Sequence, residues 1–477
     1  MPDPAAGVPD VASVEHPFRR LSPLTPLVRS SILVVAVLAS TWDRLLHGEL
    51  GPIAALLLAL LLAGAAWGAA SWLRTKYWIE ADELRVDTGV VSRQSRRIRV
   101  DRLQGIDIVQ PFVARLFGLA ELKMDVAGGG SKEGSLAFLR LEDAQQLRTT
   151  LLSRRDAVLA GRGTLTPPDP ADRADQDGAA LHPAAPAPEH LVARLDLGIL
   201  LVSLLLSPET IGFLATAVVI GGVFAVLGPI GGAVGVVPVV LGFGLTQFRK
   251  LSAFYGFTVT VTATSAGPAS AVQVRRGLFE LSAQTITLAR VQGVVVTEPL
   301  LWRRLGWARL DVSVAGQGAR DADGKPSGST VMPVAPRDVV LSLARTLLAD
   351  AGGPDPDAVV LTPPPTRARW VAPLWRRFLA AGVGEHLVVS REGMLSRRTH
   401  VVPHARVQSL QIHQGPVQRM LGLADLHVDS PPGSVKVRAR HRDAGEARRL
   451  LDTENALTAA SRRPAAQVLG PAGRPLS

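Results

Sequence analysis

The chain has 477 residues, 47% hydrophobic and 19% charged, with a formal net charge of +11 and no cysteine. That length exceeds what one hydrophobic core covers, and the lack of thiols excludes disulfides, cysteine nucleophiles and thiolate metal centres. A positive balance suits nucleic acid or an anionic membrane surface, and the bunching of the apolar residues decides for the membrane.

Residues 1–23, Pro-rich and without an apolar run, predict a disordered N-terminus. Residues 24–74 predict a transmembrane hairpin. Its second half is the clearer: Leu50 to Trp72 carries no charge and, at about 1.5 Å per residue, crosses a hydrocarbon core of about 30 Å. Its first half, Ser30 to Trp42, is closed by Asp43 and Arg44. It gains spanning length only by reaching back towards Leu24, with Arg29 snorkelling to the interface. An apolar run that starts this late reads as an anchor rather than a cleaved signal peptide.

Residues 75–160 change period. Leu84, Val86, Ile98, Val100, Leu103, Ile106, Ile108, Leu122, Met124 and Val126 recur as half-buried strands require. Glu142 to Leu159 follows with helical period, and Asp143 near its start suits the helix dipole. Residues 161–192, crowded with Pro, Ala and Asp, predict an unpacked linker. A second hairpin is expected at 193–250, where Leu197 to Phe248 holds a single charge, Glu209, and a turn falls near Gly228-Pro229 or Gly231-Gly232. Glu209 belongs at an interface or a helix start, because Ser207-Pro208-Glu209 opens helices and a carboxylate at mid-membrane is costly.

Residues 251–351 repeat the strands, with Val272, Val274, Ile286, Leu288, Val294, Val296, Leu310, Val312 and Val314 inward, and close with a helix from Pro336 to Leu348 begun near Asp338. Residues 352–368 repeat the linker character through Pro354, Pro356 and Pro363-Pro364-Pro365. A third copy at 369–461 has no hairpin of its own and ends in a helix from Asp443 to Leu457, before a disordered tail at 462–477. Trp370 to Phe378 is expected as the first strand of that copy with exposed Arg residues, the rival being an aromatic and basic interfacial anchor.

The three copies keep one register. Gly89, Gly277 and Gly393 each stand 15 positions before Gln104, Gln292 and Gln408, which stand 14 before Gly118, Gly306 and Gly422. Arg102, Arg290 and Arg406 sit two before the Gln, and Arg115, Arg303 and Arg419 three before the last Gly. Equal spacing throughout points to one unit used three times. Duplicated units retain what the fold needs, so these positions read as structural, although an Arg-x-Gln pair also suits phosphate or carboxylate.

The paired apolar segments, the Arg-[Leu/Val]-Gln-[Gly/Ser] element and the following Arg-x-x-Gly-[Leu/Trp]-Ala element resemble the bacterial membrane-anchored pleckstrin-homology-like family in multi-copy form. The likeness covers residues 30 to about 160 and 195 to about 460. It implies α+β soluble domains: three bent seven-stranded sandwiches or barrels, each capped by a C-terminal helix, plus four transmembrane helices in two hairpins. It implies no catalysis and no cofactor, a place in the bacterial plasma membrane, and a scaffolding role connected with envelope stress. Arg19, Arg20, Arg29, Arg74, Lys76, Arg249 and Lys250 flank the hairpins. By the positive-inside rule they put both termini and the soluble domains in the cytoplasm.

Differences between copies point to binding. Arg93, Arg96, Arg97 and Arg99 follow Gly89, and Arg397, Arg398 and His400 follow Gly393, whereas the second copy has Glu280-Leu281-Ser282-Ala283-Gln284. The fold therefore does not require these cations. They become candidates for anionic headgroups or an acidic partner protein, each Arg being worth about 1 kcal/mol at such a surface; a merely solvated basic hairpin is the alternative. No nucleic-acid partner is expected. Enzyme and metal signatures fail on spacing: Asp321-x-Asp323-Gly324-Lys325-Pro326 lacks the rest of a phosphate or calcium loop. His400-x-x-x-His404 straddles Pro403 in a strand-like stretch, which disfavours a metal. The expected function is non-enzymatic, with three cytoplasmic PH-like domains offered to protein partners or anionic lipids. The alternative is a transporter, or its regulatory subunit, built on four helices with Gly-rich stretches.

Overall fold

A computed structural model describes residues 19–20, 59, 63, 76–80, 83–88, 94–126, 135–163, 189–227, 232–263, 269–315, 329–349, 352, 355–431 and 433–462. Two compact units divide the chain, Met1–Gly178 and Ala179–Ser477.

In the first unit, β1 (Arg19–Arg20), β2 (Lys76–Glu80), β3 (Glu83–Thr88) and β4 (Gln94–Arg99) form an antiparallel sheet in that order. A 3-10 turn leads into β5 (Leu103–Pro111), the short helix α1 (Phe112–Leu116), β6 (Leu119–Val126) and β7 (Ser135–Arg140), and β6 pairs antiparallel with both β5 and β7. The alternation in the sequence closes the core, since Leu84, Ile98, Ile106, Leu122 and Met124 meet in one cluster, on which α2 (Leu141–Gly163) lays Ala144, Leu147 and Leu151. The hairpin predicted at 24–74 lies outside the described residues apart from Ala59 and Ala63, and most of the linker at 161–192 lies outside them too.

The second unit opens with β8 (Glu189–Arg194) and three helices, α3 (Leu197–Leu205), α4 (Pro208–Leu227) and α5 (Gly232–Phe254). Then β9 (Thr258–Ala263), β10 (Ala269–Arg276) and β11 (Glu280–Thr287) line up in the order β11-β10-β9-β8. The second copy continues with β12 (Val291–Pro299), α6 (Leu300–Arg304), β13 (Trp307–Val314), β14 (Ser329–Pro336) and α7 (Arg337–Leu347). Helix α7 buries Val340, Leu343, Ala344 and Leu347, the i, i+3, i+4, i+7 stripe of a helix with one apolar face. The third copy has β15 (Ala380–Val383), β16 (Leu387–Glu392), β17 (Ser396–Pro403), β18 (Ser409–His413), α8 (Pro416–Met420), β19 (Leu423–Asp429), β20 (Val437–Asp443) and α9 (Ala444–Arg462). Asp443 caps α9, its Oδ1 accepting from the amides of Gly445 at 2.9 Å and Glu446 at 3.3 Å.

Copies two and three are not separate modules. Strand β12 pairs antiparallel with β17, Val294 opposite Val401 and Glu298 opposite Arg397, so one six-stranded sheet runs β14-β13-β12-β17-β16-β15. Val295 of copy two packs in the core of copy three, and Leu387, Val389 and Val401 of copy three pack in the core of copy two.

The stretch 352–368, expected to be an unpacked linker, is docked where it is described. Arg337 pairs with Asp357 at 2.7 Å, Arg345 pairs with Asp355, Pro356 is buried, and Thr362 bridges Ala381. Its Pro content sets local stiffness, while the ion pairs come from helix α7, which local composition does not reveal. Trp370 to Phe378 is not a strand either: two 3-10 turns, Thr366–Trp370 and Arg376–Phe378, lead into β15. Pro373, in the middle of the stretch, removes an amide that a ladder there would use.

The repeated glycines mark two tight places. Gly277 and Gly393 have φ of 113° and 101°, and a Cβ would fall 1.8 Å and 2.0 Å from the carbonyl oxygens of Glu280 and Ser396. Gly118, Gly306 and Gly422, at φ 64°, 68° and 64°, end the short helices α1, α6 and α8 in the left-handed region.

Candidate membrane-facing site

Helices α4 and α5 carry a long series of uncovered apolar side chains. Ile211, Leu214, Val218 and Val219 on α4 and Val239, Leu241, Leu245 and Phe248 on α5 are all exposed, Val218 to 75%. Apolar surface on this scale is what a soluble fold avoids. The two helices face each other through the stacked rings of Phe213 and Phe243, 3.9 Å apart. At one end Gln247 Nε2 donates to Thr210 Oγ1 at 3.1 Å and Lys250 pairs with Glu209 at 3.5 Å. Ser207-Pro208-Glu209 does open a helix: the Thr210 amide donates to Ser207 Oγ at 3.3 Å and α4 starts at Pro208.

The hairpin expected here as two helices has a third, α3, at its root. Asp196 caps α3 by accepting from the Gly198 amide at 2.6 Å. Leu200 then enters the core of copy two, and Trp302 Nε1 donates to the Ser203 carbonyl at 3.2 Å. The apolar run from Leu197 thus splits in function, its first turns serving the soluble fold. Among the described residues no single helix is long and apolar enough to cross a bilayer; Leu197–Leu205 and Pro208–Gly222 reach that measure together, across a 41° bend. The predicted turn at 228–231 lies outside the described residues.

The root is fixed on both sides. The amides of Gly277 and Leu278 donate to the carbonyls of Tyr255 and Ser252 at 2.9 and 2.8 Å, and Phe279 lies 5.8 Å from Phe248, ring to ring. In copy three the matching turn, Gly393-Met394-Leu395, meets α6: the Leu300 amide donates to the Leu395 carbonyl at 2.7 Å and Arg303 Nη2 to that of Met394 at 3.1 Å.

The basic candidates separate. Arg93 and Gly89 lie outside the described residues. Arg96, Arg97 and Arg99 are exposed on β4, with Arg99 held to Asp101 at 2.8 Å. Arg398 is exposed on β17. Arg397 is not available to a lipid: it clamps Glu298 of copy two through Nε at 2.8 Å and Nη2 at 2.7 Å, and Arg337 reaches the same carboxylate at 3.2 Å. Glu298, only 2% exposed, was not among the candidates. The repeat register holds a signal for it, because Gln110, Glu298 and Gln414 occupy one position and only copy two has the charge.

Of the repeat-defining arginines of the second unit, Arg290, Arg303 and Arg406 bond to backbone carbonyls. Arg290 reaches the Ala315 carbonyl, Gln292 Nε2 donates to the Arg290 carbonyl at 3.2 Å, and Arg406 Nη2 donates to the Ala289 carbonyl of copy two at 2.7 Å. Arg102, Arg115, Arg419 and Gln408 are exposed, and the Gln104 side chain is outside what is described. No Arg-x-Gln pair among the described residues converges on a common pocket. His400 and His404 also part: His400 Nδ1 accepts from the Lys436 amide at 3.2 Å, while His404 Nδ1 lies 2.7 Å from Glu454 Oε1. The Asp321–Pro326 stretch lies outside the described residues.

A family model for the bacterial PH domain matches residues 30–155, 203–351 and 358–457. The chain is also 23% identical over 270 residues to the UPF0699 transmembrane protein YdbT of Bacillus subtilis (strain 168), a match spanning 53% of this chain and 52% of that protein. The chain therefore covers about half the length of this curated relative. Three matched segments in one chain, coinciding with three strand-and-helix copies in one register, place this protein in the bacterial PH domain family.

Proposed function

We propose that this is a non-enzymatic, multi-pass membrane protein whose three PH-like copies are displayed on the cytoplasmic face and hold protein partners or anionic lipid headgroups there, as a scaffold. The uncovered apolar pair α4 and α5, rooted through α3 in the core of copy two, carries the reading. Helices apolar around their circumference belong in lipid, and a bacterial relative is itself named a transmembrane protein. On this reading the first hairpin, at 24–74, enters the same bilayer, giving four spanning helices. Arg97 on β4 and Arg398 on β17, both exposed, are the cations this reading offers to anionic headgroups or an acidic partner surface.

Topology reporters test the membrane part. A reporter active only in the cytoplasm should be active at either terminus or after Gly163, and silent when inserted between Gly228 and Gly231. Activity at all these places would refute the spanning hairpin. In-cell photocrosslinking from β4 and β17 should capture one recurrent protein or lipid, and a diffuse pattern matching that from a buried strand would refute the scaffold.

A further inference from the structure

Each copy leaves and re-enters its first sheet at the same place. In copy one Arg20 is opposite Lys76, in copy two Arg194 is opposite Thr258, and in copy three Thr362 bridges Ala381, one residue into β15. Between these points copies one and two insert the apolar segments 21–75 and 195–257. Copy three inserts only 364–379. That excursion lies at the end of the sheet where α3 is held: Ala380 pairs with Arg391, beside the Gly393 turn whose Leu395 meets α6, and α6 in turn holds Ser203 of α3.

The short excursion is a built platform. Ala368 and Ala372 are buried beneath it, the Arg376 amide donates to the Ala372 carbonyl at 3.1 Å, and Arg376 Nη1 donates to the Pro364 carbonyl at 3.0 Å. Arg367 ties it to Asp443 and to the Gly422 carbonyl. What it turns outward is apolar and basic: Trp370, Leu374 and Trp375 are 71%, 65% and 53% exposed, with Arg369 and Arg377 exposed beside them and no acidic residue between 364 and 379. A rigid pair of exposed indoles costs stability in water. At a headgroup layer it matches both the apolar ring and the N–H, and the flanking cations match anionic lipid.

We infer that residues 364–379 dock copy three onto the surface of the same bilayer, as an interfacial anchor for anionic phospholipid in place of a third hairpin. The inference rests on the membrane reading of α4 and α5 but names a separate contact. Because the chain has no cysteine, single fluorophores can be placed cleanly in the full-length protein, reconstituted in phosphatidylglycerol-containing vesicles with a lipid-borne nitroxide quencher. Labels at Leu374→Cys on the platform, Val218→Cys on α4 and Glu385→Cys on the opposite β15–β16 turn are compared. The label at 374 should shift to shorter wavelength and lose most of its emission to the quencher, as at 218, while 385 stays unquenched. Adding Trp370→Ala and Trp375→Ala should release the label at 374, and purely neutral lipid should weaken its quenching. A water-exposed label at 374 beside a quenched one at 218 overturns the anchor and leaves the hairpin standing. Quenching at 374 with 218 in water supports the anchor and sinks the hairpin. Equal quenching at 374 in neutral lipid overturns the anionic assignment.

Discussion

Glu298 shows how a buried charge joins two copies. Its carboxylate is almost wholly out of water, and its partners come from different elements, Arg337 from the start of α7 and Arg397 from β17. Removing a buried partner leaves uncompensated charge. Both guanidiniums keep some solvent, so Glu298→Ala should destabilise the second unit by about 2–3 kcal/mol, less than the full cost of breaking a dry pair. Arg397→Ala should cost less, because Arg337 still answers Glu298. Thermal unfolding of the purified protein reads both, and two variants melting with the wild type would show that the triad adds nothing. His404 is a second residue with a directional consequence. Burial disfavours its charge, yet the hydrogen bond and charge of Glu454, with the Gly384 carbonyl 3.0 Å from Nε2, outweigh burial and raise its pKa. The two ring nitrogens face Glu454 Oε1 and the Gly384 carbonyl, and the imidazolium donates to both. A base whose pKa rises on folding lends stability that is whole below its unfolded value of about 6.5 and fades as pH climbs through the higher folded value. As pH rises above about 6.5, the melting temperature should therefore fall more steeply in wild type than in His404→Gln. Parallel slopes would exclude the raised pKa of His404.

Among the elements, what was legible in the sequence was whatever depends on near neighbours. The alternation of Leu84, Val86 and Ile98, the opening of α4 by Ser207-Pro208-Glu209 and the Asp443 cap of α9 are set by residues within a turn or a strand. The repeated glycines were legible as spacing, and the positive φ of Gly118, Gly277, Gly306, Gly393 and Gly422 gives the reason. The rest depends on partners far away in the chain. Leu197 to Leu205 is as apolar as the helix after it, so composition cannot tell that Leu200 belongs to a protein core. The stretch 352–368 reads as Pro-rich linker until Arg337 and Arg345 arrive from α7. Arg397 looks like a surface cation for the same reason: Glu298, which neutralises it, lies in another copy. At the candidate site the apolar hairpin and its aromatic, basic surroundings were readable, and the assignment of each arginine to backbone, carboxylate or solvent was not.

Duplication usually yields beads whose stabilities add, but shared strands change that expectation for the molecule as a whole. The six-stranded sheet crosses from copy two to copy three at β12 and β17, and each copy places Val residues in the core of the other. Local opening of one copy therefore strips ladder bonds and core from its neighbour, and the two should unfold as one cooperative body. Truncation after Gly352 tests this. It leaves β12 as an open edge in which Val294, Val295 and Val296 run together, and it takes Arg397 from Glu298. A long apolar edge is a template for pairing with other chains. The truncated protein, purified in the same detergent, should melt well below the full chain and self-associate in light scattering. A monodisperse product with the original melting temperature would mean that the copies are independent beads after all.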